Sequence, residues 1–191
     1  MSGKLFLIVG PSGSGKSSVF EGLKTRHPEF MFPLSATTRP MRPGEKDGDI
    51  YHFFTKERFE EGIRKGDFLE HAVVHQDNYY GLIKAPVLKA LDEGKTVIRE
   101  VDIQGFESIR RVIPKEQLIT IFITVPNVRE LVDRIQHRAQ MSGDELKKRL
   151  KSMQIENKKA RECDYLVENH AGELEQTVGK VEAIIEREMK A

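Results

Sequence analysis

Residues 10–17 read Gly-Pro-Ser-Gly-Ser-Gly-Lys-Ser and match the spacing G-x-x-x-x-G-K-[ST]. This spacing suits polyphosphate chemistry. Gly13 and Gly15 admit backbone angles closed to other residues, so successive N–H groups can turn toward one anion. Lys16 is placed to reach terminal phosphates, and the Ser17 hydroxyl is a hard oxygen donor for Mg²⁺. Gly10, Pro11, Ser12, Gly13, Ser14, Gly15, Lys16, Ser17 and Ser18 are therefore the candidate ATP-binding segment.

A second group of residues could hold a separate anion. Residues 35–45 carry hydroxyls and two arginines three positions apart, Arg39 and Arg42, and a guanidinium fork matches phosphate oxygens in pairs. Tyr51 follows, and Tyr80 stands in an Asn-Tyr-Tyr-Gly run. Taken singly, such arginines are usually solvated and such tyrosines usually belong to a core. Farther on, Arg134 and Arg138 lie four apart and so share one helix face, with Arg149 on the next helical stretch.

The elements that must position these groups alternate in type. Apolar runs at residues 5–9, 96–101, 118–125 and 164–167 read as buried strands, with a further short strand at 30–34. Helical spacing covers residues 16–26, 85–91, 106–112, 128–138 and the C-terminal stretch, where Leu174, Val178, Val181 and Ile185 share a face. Alternation of this kind predicts an α/β fold, a P-loop NTPase-type parallel sheet flanked by helices. Two stretches depart from it: residues 35–80, rich in Arg, Gly, Pro and aromatics, and the strongly charged residues 127–161. Asp102 ends the 96–101 strand, where an acid comes to lie beside the phosphate loop, and Glu100 faces the same side.

Taken in order, GPSGSGKS, SATTRPMRPGEKDGDIYHFF, FLEHA, NYYG and EVDIQG closely resemble the guanylate kinase family, and the resemblance covers nearly the whole chain. It implies a Mg²⁺-dependent transfer of the γ-phosphoryl of ATP to GMP or dGMP, giving ADP and GDP. It implies that Ser35, Arg39, Arg42, Tyr51 and Tyr80 hold the GMP phosphate, and that Glu70 reads guanine. Guanine presents N1–H and a 2-amino group side by side, and one carboxylate can accept both. Asp102 is assigned to the GMP and metal side of the site, its role divided between base contact and a water-mediated Mg²⁺ contact shared with Glu100. Arg134, Arg138 and Arg149 match lid arginines that act with Lys16 and Arg39 in catalysis, and Asn169 falls at an adenine contact of ATP. The implied organisation is a core of residues 1–34, 86–126 and 160–191, a GMP-binding subdomain inserted at 35–85, and a helical lid at 127–159. Two departures stand out: one extra residue before Asn78, and Leu82 where relatives carry Ser or Thr that helps bind guanine. Leucine cannot make that hydrogen bond.

Composition narrows the partners. A net charge of +1 gives no global field for nucleic acid or an anionic membrane, and no apolar run approaches the ~20 residues of a membrane span. Cys163 is the single cysteine, so no intrachain disulfide forms, and a cytoplasmic location is expected. The expected partners are ATP and GMP or dGMP, and a homodimer is compatible with the sequence. Other readings remain: a peptide-binding scaffold of the same fold, another acceptor such as AMP or a phosphorylated sugar, and a GTPase switch. The intact loop, the two arginines and Glu70 weigh against them.

Overall fold

The computed structural model describes residues 3–74, 77–126, 156 and 158–190. Its first sheet is parallel throughout, in the order β6-β1-β7-β8. These strands are β1 (Lys4–Val9), β6 (Thr96–Val101), β7 (Leu118–Thr124) and β8 (Tyr165–Glu168). Strand β1 is apolar at every position from Leu5 to Val9 because both faces of the sheet are covered. On one face Leu5, Leu7, Val9, Val97, Val101 and Phe122 pack against α3 (Lys84–Asp92) and α4 (Ile103–Ile109). On the other, Phe6, Ile8, Ile98, Ile121 and Ile123 meet α1 (Lys16–Arg26) and the C-terminal helix α5 (Leu174–Lys190). Each such side chain contributes roughly 1.5–3 kcal/mol by leaving water.

A second sheet has the order β3-β2-β5-β4. It comprises β2 (Ser35–Thr37), β3 (Tyr51–Phe53), β4 (Phe68–Val74) and β5 (Asn78–Ile83). Strands β2 and β3 run parallel, whereas β5 is antiparallel to both β2 and β4. Its outer face is closed by α2 (Lys56–Lys65), whose Phe59 stacks on Phe68 and Tyr79 with ring centroids 4.3 and 5.2 Å apart. The Thr55 hydroxyl caps α2 by accepting the Arg58 N–H at 3.2 Å, and Gly66, at φ 71°, ends it. Its inner face joins the first core: Leu69 and Leu82 are buried in the same cluster as Leu5 and Val97. Strand β4 carries a β-bulge between Phe68 and Glu70. The extra residue sends Leu69 into the core and still leaves Glu70 paired with Leu82.

The parallel sheet flanked by helices is as the alternation predicts. The short strand expected at 30–34 is not there. Only Met31 pairs, in a parallel bridge to Val97, with its N–H on the Thr96 carbonyl at 2.9 Å. Pro33 has no N–H to continue a ladder. The helix expected at 128–138, together with Arg134, Arg138 and Arg149, lies outside the described residues.

Candidate active site

The loop after β1 is shaped by two close tolerances. A Cβ at Gly10 would stand 2.3 Å from the Ile123 carbonyl, so β7 leaves room for hydrogen only. Gly15 opens α1 at φ 89° and ψ 10°, a left-handed conformation that glycine adopts without strain. Helix α1 then aims its first N–H groups at the loop. Ser12, Gly13, Gly15, Lys16, Ser17 and Ser18 line a cleft of about 390 Å³ with Asn169 and the segment 170–174 opposite. The Lys16 ammonium lies 3.4 Å from the Pro11 carbonyl, and the Ser14 N–H donates to the same oxygen at 3.2 Å.

Asn169 holds this cleft together from below. It is buried, and its Nδ2 donates to the Ser14 carbonyl at 2.8 Å while its Oδ1 accepts from the Thr177 hydroxyl at 3.1 Å. One side chain thus ties the loop to α5. The sequence assigns Asn169 to ATP, and it does line the cleft, with its amide engaged by the loop.

A second cleft, of about 300 Å³, opens between the two sheets. Ser35, Tyr51, Glu70 and Tyr80 line it together, joined by Arg99 and Glu100 from β6. Helix α1 supplies the remaining wall through Phe20, Glu21 and Lys24. The same helix therefore presents its first turn to one cleft and its middle to the other. Tyr51 and Tyr80 meet edge to face with centroids 5.7 Å apart.

Arg39 and Arg42, which the resemblance assigns to the same site, are not among the residues that line this cleft. The Arg39 guanidinium forks onto Glu45, with nitrogen–oxygen distances of 3.0 and 2.9 Å, and lies 5.7 Å above the Tyr51 ring. The Arg42 N–H donates to the same carboxylate at 2.8 Å. Glu45 thus occupies the fork that the sequence reserves for a phosphate, and its hydrogen bonds from Arg39 hold it below the usual carboxylate range. Residue patterns did not single out Glu45, although its spacing of six from Arg39 in a turn-rich segment was the available signal.

Charge is concentrated where the two clefts approach. Burial pushes the Glu70 carboxyl above its ordinary value, against the attraction of Arg99 and with repulsion from Asp102. Burial likewise pulls the half-buried Arg99 down, opposed by Glu70, Glu100 and Tyr51. Among the described residues three buried side-chain atoms lack a hydrogen-bond partner: Ser14 Oγ, Arg99 Nε and Glu100 Oε2. All three lie in or beneath the clefts. Asp102 caps α4, its carboxylate accepting the Gly105 N–H at 2.8 Å. Glu156 is a carboxylate that sequence reading missed: burial raises it, Lys16 attracts it and Asp102 repels it. Arg99 was missed as well, because one arginine in an apolar run carries no pattern of its own.

No three His, Cys, Asp or Glu side chains among the described residues are grouped to hold a metal by themselves. The donors available are the Ser17 hydroxyl and the carboxylates of Asp102 and Glu100, the last with a buried oxygen that nothing else satisfies. Few hard oxygens suit Mg²⁺, which keeps several of its own waters. Cys163 takes no part: burial raises its thiol to about 11. Among the described residues no helix is long and apolar enough to cross a membrane.

Comparison with known proteins agrees with this geometry. The family model described as guanylate kinase matches residues 2–188. A guanylate kinase of Clostridium perfringens is 43% identical over 183 residues, covering 96% of this chain and 82% of its own length. One of Nostoc sp. is 41% identical over 169 residues, covering 88% and 83%. The crystal structure of guanylate kinase from Anaplasma phagocytophilum superposes with a TM-score of 0.71 at 26% identity, covering all of this chain and 88% of that one. With a phosphate loop and a separate polar cleft sharing one helix, and with relatives matched over most of both lengths, this chain belongs to the guanylate kinase family.

Proposed function

We propose that the protein transfers the γ-phosphoryl group of ATP to GMP, and to dGMP, with Mg²⁺ as the required ion. The observation that carries this reading is the shared use of α1, which lines the phosphate-loop cleft with Lys16–Ser18 and the second cleft with Phe20, Glu21 and Lys24. Two anions bound in these clefts approach each other over one helix, as an in-line transfer requires.

In this reading the loop cradles the triphosphate through backbone N–H groups and Lys16. Glu70 accepts from N1–H and the 2-amino group of guanine. Adenine offers an acceptor at N1, which a buried carboxylate repels, and a polar mismatch of this kind can reach ~10⁴-fold discrimination. The acceptor phosphate takes the place of Glu45 on Arg39, with Arg42, Tyr51 and Tyr80 as further donors, and the Ser35 hydroxyl is left to the base. Ser17, with Asp102 and Glu100 through water, would hold Mg²⁺, which when bound neutralises charge on the phosphate oxygens. The core of 1–34, 86–126 and 160–191 carries the loop. The unit 35–85 carries the acceptor, and the unit 127–159 acts as a lid whose Arg134, Arg138 and Arg149 add positive charge to the transferring group.

The test is ADP release measured with ATP and GMP, dGMP, AMP, UMP or no acceptor. Turnover with GMP and dGMP should exceed that with AMP by at least ~10²-fold. ADP release at the same rate with no acceptor would overturn the reading, since it would describe an ATPase.

A further inference from the structure

Strands β2, β5 and β4 lie side by side, and their register places Ser35, Leu82 and Glu70 in one row. Directly paired residues point to the same face, and neighbouring strands are ~4.8 Å apart, so the two outer side chains stand about 10 Å apart over Leu82. Leu82 is completely buried and has nothing to donate or accept. Recognition along this row is left to its two ends.

The ends differ in kind. An ionised Glu70 can only accept. A serine hydroxyl can do either, and by itself would tolerate a donor or an acceptor on the ligand. Arg99 removes that choice. Its Nη1 donates to the Pro33 carbonyl at 3.2 Å, and its Nη2 donates to Ser35 Oγ. A guanidinium has no acceptor to offer in return, so the Ser35 proton must be directed elsewhere. Among the described residues no hydrogen bond from that hydroxyl is made. Ser35, Arg99 and Glu70 line one cleft, which leaves that proton free to turn toward a ligand acceptor there.

We propose that Arg99 is a positioning residue that sets base selectivity: by holding Ser35 as an obligate donor, it makes the row complementary to a purine with an acceptor at C6 next to donors at N1 and C2. This rests on the reading of the cleft as the acceptor pocket. An amino group at C6 would meet a donor at one end of the row while N1 met the carboxylate at the other, so both ends would reject it. The arrangement supplies at the 6-position the donor that Leu82 cannot.

The experiment compares the unaltered protein with Arg99→Leu, Arg99→Lys, Ser35→Ala and the double variant Arg99→Leu/Ser35→Ala. Each is given ATP with GMP or with 6-thioguanosine monophosphate, which keeps N1–H and the 2-amino group but replaces the 6-oxygen with a weak acceptor. Arg99→Leu should raise KM for GMP about tenfold, leave kcat within about twofold, and remove most of the preference for oxygen over sulfur. Arg99→Lys, which can still donate to Ser35, should keep that preference. In the Ser35→Ala background, Arg99→Leu should add less than about twofold, because both changes remove one interaction. An unchanged oxygen preference in Arg99→Leu, or fully additive effects in the double variant, would overturn the proposal. Should Arg99→Leu not fold, Ser35→Ala and Arg99→Lys decide it: the first must lose the preference and the second must keep it, and the reverse in either refutes the assignment. If the unaltered protein does not phosphorylate GMP at all, the proposed function itself fails, which is a separate outcome.

Discussion

The two clefts are built by different means. The phosphate-loop cleft is built from main chain: glycines that make room, N–H groups at the start of α1, and Asn169 bracing the loop from beneath. The second cleft is built from side chains on neighbouring strands, with Glu70, Arg99 and Glu100 gathered into a partly dry space. Backbone can recognise a phosphate because every residue supplies the same donor. It cannot tell one base from another, so selectivity has to come from side chains, and those carry the cost of being buried with charge.

The contrast can be broken most sharply at Lys16, the one side chain on which the loop's charge depends. Lys16→Ala should lower kcat by ~10²-fold or more, with the thermal midpoint and GMP affinity little altered. Steady-state kinetics with a melting curve checks this, and an equal loss of GMP affinity would show that the clefts are not separate. Glu70→Gln comes next. It should lower kcat/KM for GMP by at least ~10²-fold while raising stability at neutral pH. The sign follows from linkage: Glu70 is shifted upward in the folded protein, so folding favours its protonated form, and stability falls as pH rises from the ordinary carboxyl range through the raised value. The reading of guanine needs the ionised form, so GMP affinity should run the opposite way and weaken as pH falls through that value. Calorimetric GMP binding against pH, beside the same series for Glu70→Gln, would show the dependence vanish in the variant. The smallest effect is expected at Asn169. Its replacement by Ala leaves the Ser14 carbonyl without its donor and should cost about 1–3 kcal/mol of stability, with KM for ATP raised and KM for GMP unchanged. A rise in both would mean that the loop and the second sheet are braced together.

The same contrast explains what could be read from sequence. The phosphate loop was legible because its function lies in consecutive residues between a strand and a helix. The strands of the first sheet were legible because burial on both faces leaves an unbroken apolar run, as at Leu5–Val9. Ser35, Tyr51, Glu70 and Tyr80 were reached only through the resemblance of whole segments, and they do line one cleft. Arg99 could not be found this way, since the hydroxyl it holds is 64 residues distant. Glu45 was hidden for another reason: residue type says nothing about which anion an arginine holds, and Arg39 holds this carboxylate. The strand expected at 30–34 failed because the apolar pattern there outlasts the available N–H donors.

The bulge at Leu69 has a consequence for how this protein can change. Side chains on an unbroken strand alternate, and without Leu69 the ladder would run on regularly from Phe68 opposite Ile83 to Glu70 opposite Leu82, so position 70 would keep its face. A one-codon deletion there would therefore be expected to spare the placement of Glu70 and to take one buried leucine out of the core shared by the two sheets.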